Sequence, residues 1–217
     1  MFDEIVRVFS EHRNEENAAP MAAYMKNRFA FLGIKRPERS VLQKPFLKEA
    51  RRLDEPDWDC LNRLWEMPER EYQYAALDLL VLQAGRLAEE DLDRVEKLIT
   101  AKSWWDTVDL LATKVTGSLC SRFPGLIETH ILPWSAGDNL WLSRTAILFQ
   151  LKYKDRTDRG LLGRILEENS GTAEFFLNKA VGWALREYSK TDPEWARAFI
   201  RGHELSALSV REGSKYL

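Results

Sequence analysis

The sequence is poor in the residues from which metal and redox centres are built. Its 217 residues include two cysteines, Cys60 and Cys120, and three histidines, His12, His130 and His203. The cysteines form no ligand or redox motif and the histidines are scattered, so no metal and no cofactor is expected. So few thiols point to a reducing, cytoplasmic setting. No apolar run reaches the ~20 residues of a membrane span. The acidic start Met1-Phe2-Asp3-Glu4 lacks a signal-peptide pattern. Strong net charge is also missing: 32 Lys and Arg against 34 Asp and Glu give −2. Composition alone therefore does not point to nucleic acid. Nor does the chain show alternating apolar and polar stretches bounded by hairpin turns, which excludes a β architecture.

What is present is helix. The chain is 45% hydrophobic and 11% aromatic, with eight Trp, enough for a sizeable core in one domain over 1–217 or in a continuous repeat array. Residues 18–32 place Met21, Tyr24, Met25 and Phe29 near one stripe and are expected to be helical up to Gly33. Residues 70–83 carry Tyr72, Ala75, Ala76, Leu79 and Leu80 at helical spacing. Residues 139–153 and 173–188 read as long helices. Thr191-Asp192-Pro193-Glu194 reads as a capping box with Thr191 at its head. Pro37, Pro56, Pro68 and Pro124 stand where helices would begin, and Pro45 should break one.

A degenerate repeat runs through these helices. Tyr74-Ala75-Ala76-Leu77, Arg144-Thr145-Ala146-Ile147 and Asn178-Lys179-Ala180-Val181 resemble one another. Their alanines lie 70 and then 34 residues apart. A period of about 35 residues fits one helix pair per repeat, the unit of an α-solenoid. The expected fold is thus all-α, a curved superhelix of HEAT-like repeats, in which residues in equivalent registers line one face. Asp109, Arg144 and Lys179 are spaced 35 and 35 apart.

Charge is unevenly placed. Residues 21–52 hold nine basic side chains, among them Lys26 and Arg39, against Glu38 and Glu49. A second basic stretch holds Arg144, Lys152 and Lys154, and the segment 54–96 between them is acidic. Such blocks fit a molecule with one DNA-facing side, although from charge alone each reads more readily as a solvated helix face.

Three segments carry candidate chemistry. In Ser103-Trp104-Trp105-Asp106-Thr107-Val108-Asp109 a helix would put Trp105 and Asp109 on one face and turn Trp104 toward the core, with Asp106 an ordinary helix-start carboxylate. In Trp141 to Lys152, Arg144 and Lys152 lie near one stripe. In Phe175 to Tyr188, Lys179, Trp183 and Arg186 share a stripe at i, i+4 and i+7.

At these segments the chain resembles the AlkD-type DNA alkylation-repair glycosylases. The likeness runs in order from Met21-Ala22-Ala23-Tyr24-Met25-Lys26-Asn27 through Pro37-Glu38-Arg39, Leu64-Trp65, Lys102 to Asp109, Trp141 to Lys154 and Phe175 to Lys190. The resemblance implies a HEAT-like solenoid that cradles duplex DNA as a monomer, in a bacterial cytoplasm and at the nucleoid when acting. It implies metal-free excision of cationic N3- and N7-alkylpurines without a lyase step. It implies Asp109 as the essential carboxylate, Arg144 as the essential arginine, and Trp105 and Trp183 as the indoles of the cleft. Tyr24, Lys26, Arg39, Lys152, Lys154, Lys179 and Arg186 are the expected DNA contacts. Arg144 is expected to grip a phosphate through two hydrogen bonds. Ser143 departs from the pattern, standing where a second basic residue would strengthen that grip. Two other readings remain: a non-catalytic solenoid that recognises damaged or unusual DNA, which would have no need of Asp109, and a protein-binding scaffold, which would lack clustered cations.

Overall fold

The computed structural model describes residues Met1–Leu217, and the chain is all-α. Its one strand-like pairing is a single bridge between Ala30 and Glu69. No helix is long and apolar enough to cross a membrane. Backbone packing divides the chain into two compact units, Met1–Leu87 and Ala88–Leu217.

The first unit contains α1 (Phe2–Glu11), α2 (Glu15–Tyr24), α3 (Arg36–Leu42), α4 (Lys44–Ala50), α5 (Trp58–Glu66) and α6 (Arg70–Gln83). Local chemistry sets the helix starts. The Asn14 and Asp57 side chains accept from the amides of Asn17 and Cys60, each at 3.0 Å, satisfying donors that a first turn leaves open. Pro37 and Pro45 sit in the first turns of α3 and α4. The break expected at Pro45 therefore falls two residues earlier, at Gln43. Ile5, Phe9, Leu32, Ile34, Leu61, Leu64, Leu79 and Leu80 are buried in this unit.

The helix expected over 18–32 ends instead at Tyr24. Lys26 and Asn27 both take left-handed φ, 57° and 55°, which a continuing helix cannot accommodate. The segment beyond is held by Glu71 of α6. Its fully buried carboxylate accepts from the amides of Leu32, Gly33 and Ile34 at 2.9, 2.9 and 3.1 Å. Gly33 is no helix stop but a site of close approach. Its φ is +90°, and a Cβ there would lie 1.9 Å from the Asn14 carbonyl oxygen.

The second unit contains α7 (Asp91–Thr100), α8 (Trp105–Leu110), α9 (Gly117–Arg122), α10 (Leu132–Ala136), α11 (Leu140–Leu148), α12 (Arg159–Glu168), α13 (Phe175–Tyr188), α14 (Pro193–Gly202) and α15 (Ala207–Gly213). A π-helical turn, Leu111–Thr116, joins α8 to α9 and begins two residues after Asp109. Helix α11 is the centre: every residue from Ser143 to Leu148 is buried, and it packs on α7, α8, α10, α12 and α13. It ends at Leu148, not at 153 as its pattern suggested, and the chain continues as turns to Tyr153. Ser143 owes its identity to this burial. Its hydroxyl is turned to the carbonyls of Trp134 and Asn139, both at 3.1 Å, a place too confined for a basic side chain. The cap of α14 is Asp192, which accepts from Trp195 N at 3.0 Å. Thr191 lies one residue too early for the expected box, and Glu194 pairs forward with Arg197 instead.

The repeat is visible as a recurring separation between hydrogen-bonded side chains. Gln43 bonds Asp78 at 2.7 Å, and Arg86 bonds the Arg51 carbonyl at 2.9 Å. Asp109 bonds Arg144, Arg156 bonds Ser121 and Lys152 bonds Glu187. All five pairs are 35 residues apart in sequence. Equivalent positions of successive helix pairs thus meet, as stacked helical repeats require.

Candidate active site

Helix α8 begins after a sharp turn. Lys102 has φ 52°, and Trp104 is extended. Trp104 is buried against Trp141 and Phe176, with ring centroids 5.7 and 4.9 Å away. That anchor turns the next residue, Trp105, the other way, and Asp109 follows one helical turn later on the same face. Both line an open cavity of about 380 Å³ together with Arg144, Phe175, Phe176, Lys179, Trp183, Arg186 and Glu212. Trp105 and Trp183 are each half-buried there.

The floor of the cavity is an ion pair. Arg144 Nε donates to Asp109 Oδ1 at 2.7 Å and Nη2 to Oδ2 at 2.9 Å. Nη1 donates to the Phe176 carbonyl at 2.5 Å. Side-chain exposure is 5% for Arg144 and 15% for Asp109. The arginine thus presents its planar fork to the carboxylate, and the two hydrogen bonds expected at a phosphate are made to Asp109. Burial pushes the Asp109 carboxyl above its ordinary range, and the Arg144 guanidinium pulls against that rise. The two indoles and the fixed carboxylate can face a cation or a developing positive charge, while Lys179 and Arg186 in the same lining can face an anion.

The structure therefore brings together six of the residues singled out from sequence: Trp105, Asp109, Arg144, Lys179, Trp183 and Arg186. The others lie elsewhere. Lys152 is exposed and pairs with Glu187 at 3.0 Å. Lys154, with φ 57°, lines a separate cavity of about 290 Å³ beside Gln150, Tyr188 and Lys190. In the first unit, Tyr24 is 70% exposed at a cavity it shares with Met21, Met25 and Tyr74, and Lys26 is exposed. Arg39 is a correction. It is buried, donates to Asp78 at 3.3 Å and lies 4.6 Å from the centroid of the Tyr74 ring, so it is spent inside the unit.

Three lining residues escaped the sequence reading. Phe175 and Phe176 sit at the start of α13, where no spacing rule marks them. Glu212 lies 33 residues beyond Lys179, near the next step of the 35-residue register, which is the signal that could have found it. Three cations surround Glu212. Lys215 and Lys179 hold its carboxyl well below the usual range, at about 2, against the opposing effect of burial. Elsewhere in this unit Asp93, Glu96 and His130 offer ligand atoms within 4.8 Å of one another. His130 Nε2 lies within hydrogen-bond distance of Asp93 Oδ1, at 3.0 Å.

Comparison with known proteins adds a family. The family model described as DNA alkylation repair enzyme matches residues 5–217. A solved structure described as a predicted DNA alkylation repair enzyme from Enterococcus faecalis superposes with a TM-score of 0.87. It is 38% identical, over 94% of this chain and 96% of that one. None of the curated proteins compared matches.

Proposed function

The chain belongs to the DNA alkylation repair enzyme family, and from that premise we propose that it is a monofunctional DNA glycosylase. It hydrolyses the N-glycosidic bond of cationic alkylpurines, such as 3-methyladenine and 7-methylguanine, in duplex DNA. It acts as a monomeric HEAT-like domain spanning residues 1–217, in the cytoplasm and at the nucleoid. One observation carries this reading: the Asp109 carboxylate, gripped at both oxygens by Arg144, faces a cavity walled by Trp105 and Trp183.

The chemistry follows from what each group can supply. A purine alkylated at N3 or N7 is already positively charged and leaves as a neutral molecule, so no general acid has to protonate it. What remains is an oxocarbenium-like sugar. Asp109 stabilises that charge electrostatically and orients the attacking water. Each indole face offers a cation about 0.5–2 kcal/mol. Arg144 is a positioning residue in this scheme. It fixes the carboxylate's rotamer and opposes the rise in pKa that burial causes, and phosphate contact falls to Lys179 and Arg186. The remaining expected contacts, Tyr24, Lys26, Lys152 and Lys154, are assigned to the duplex on resemblance and exposure alone.

The direct test is incubation with duplex DNA carrying 7-methylguanine. Free 7-methylguanine and an unbroken abasic strand are expected. A protein that binds this duplex but releases no base is a damage-recognition solenoid and not an enzyme.

A further inference from the structure

Glu212 is a buried carboxylate in the lining of the Asp109 cavity that the proposed chemistry leaves unused. It lies on α15 with its side chain 8% exposed, and three cations converge on it. Lys179 Nζ is 3.1 Å away, Arg186 Nη1 2.9 Å and Lys215 Nζ 2.8 Å. The arrangement is built into the backbone. A Cβ at Gly182 would lie 2.6 Å from Glu212 Cβ and 2.9 Å from the Ser209 carbonyl oxygen, so glycine is what lets α15 close on α13. Ser209 Oγ seals the contact by donating to the Asn178 carbonyl at 2.9 Å.

Lys179 and Arg186 stand on either side of Trp183 along α13, and both line the Asp109 cavity. Lys215 is outside that lining and acts as a counterweight. Three cations and one anion leave the cluster at +2, so it still attracts an anion. Arg186 donates to Glu212 through Nη1 only, and Lys179 makes a single contact there. Their side chains are 23% and 38% exposed. A guanidinium has five N–H donors and an ammonium three, so most of these remain for a ligand. Two cations whose direction is set before an anion arrives spare it the ordering cost that flexible surface lysines impose.

We infer that Glu212 is a positioning residue that holds Lys179 and Arg186 as a clamp for one backbone phosphate of DNA beside the Asp109 cavity, an inference that rests on the glycosylase reading.

The test compares duplex affinity, by fluorescence anisotropy, for the wild type, Glu212→Gln, the Lys179→Met/Arg186→Met double variant and the triple combination. Charge alone predicts that removing an anion from a DNA-facing cavity tightens binding. The clamp predicts the opposite: Glu212→Gln binds about tenfold more weakly and has no further effect in the double-variant background. Tighter or unchanged binding overturns the clamp. So does a loss that persists in the double variant, which is what a merely structural Glu212 would give. Should Glu212→Gln fail to fold, Glu212→Asp keeps the charge on a shorter arm and must also weaken binding; wild-type affinity there overturns the clamp. Inorganic phosphate separates the two sources of the ligand. It should protect the protein from thermal unfolding no better than chloride at equal ionic strength, and specific protection lost in the double variant would overturn the backbone assignment. A wild type with no duplex affinity overturns both readings. Duplex binding that ignores Glu212 overturns only the clamp.

Discussion

Two carboxylates, Glu71 of the first unit and Asp109 of the second, differ in how their partners hold them and in what that leaves for a ligand. Glu71 is fully buried and spends both oxygens on three backbone amides of residues 32–34. It fixes the loop of residues 32–34. Asp109 is partly buried, its side chain 15% exposed, and its partner is a single side chain that arrives from one direction. Its other side opens on the cavity between Trp105 and Trp183. Backbone donors surround and consume a carboxylate. A guanidinium held 35 residues along the repeat takes one lone pair on each oxygen and leaves the others for a ligand.

Substitution separates the two cases, and the largest effect belongs to Asp109→Asn. Single-turnover release of 7-methylguanine should fall by on the order of 10²–10³-fold or more, with duplex affinity within a few-fold of wild type. Glu71→Gln places an amide against backbone N–H groups and should cost about 1–3 kcal/mol of stability, read from the denaturation midpoint. Its release rate per folded molecule should be unchanged. Asp109→Asn should leave the denaturation midpoint close to wild type, because burial already raises the Asp109 pKa and the fold therefore does not disfavour a neutral side chain there. Rate and stability together then distinguish the two sites. A Glu71 variant that folds but has lost base release would collapse the distinction.

Arg144→Lys sharpens it further. Lysine keeps the charge and loses the fork, so the carboxylate is held less well. A loss of release of about 10–100-fold is expected, as for modest misplacement of a reacting group. A fully active lysine variant would contradict the positioning role.

The smallest effect is a separation in pH. Burial raises the Asp109 pKa, so acidification should abolish release with a midpoint above the ordinary aspartate value of about 3.9. Glu212 is shifted the other way, to about 2. Its stabilising contribution is present above the ordinary glutamate value of about 4.3 and is lost as the pH falls toward about 2. Release should therefore fail before the fold does. Simultaneous loss of both would mean that Asp109 is not the group whose protonation is read.

The parts of this account that were legible in the sequence depend on period. Helix α6 was readable to its ends, because Tyr72, Ala75, Ala76, Leu79 and Leu80 repeat at helical spacing and bury together. The 35-residue register put Asp109, Arg144 and Lys179 on one list, and they share one cavity. Periodicity names a face but not what covers it. Arg39 read as a free cation and is buried against Asp78 and Tyr74, both contributed by α6. Arg144 read as a phosphate ligand and is occupied by Asp109, whose distance in sequence hides the pairing. The end of α2 was misplaced because left-handed Lys26 and Asn27 carry no proline or glycine to announce them.

The central claim is that Asp109 and the indoles act on a leaving group that is already charged. Its most direct measurement is single-turnover excision from matched duplexes that differ only in the lesion, 7-methylguanine or 3-methyladenine against hypoxanthine or ethenoadenine. Release of the two cationic bases, dependent on Asp109, with little or no release of the neutral ones is the predicted result. Equal rates on charged and neutral lesions would contradict it, even if Asp109 proved essential.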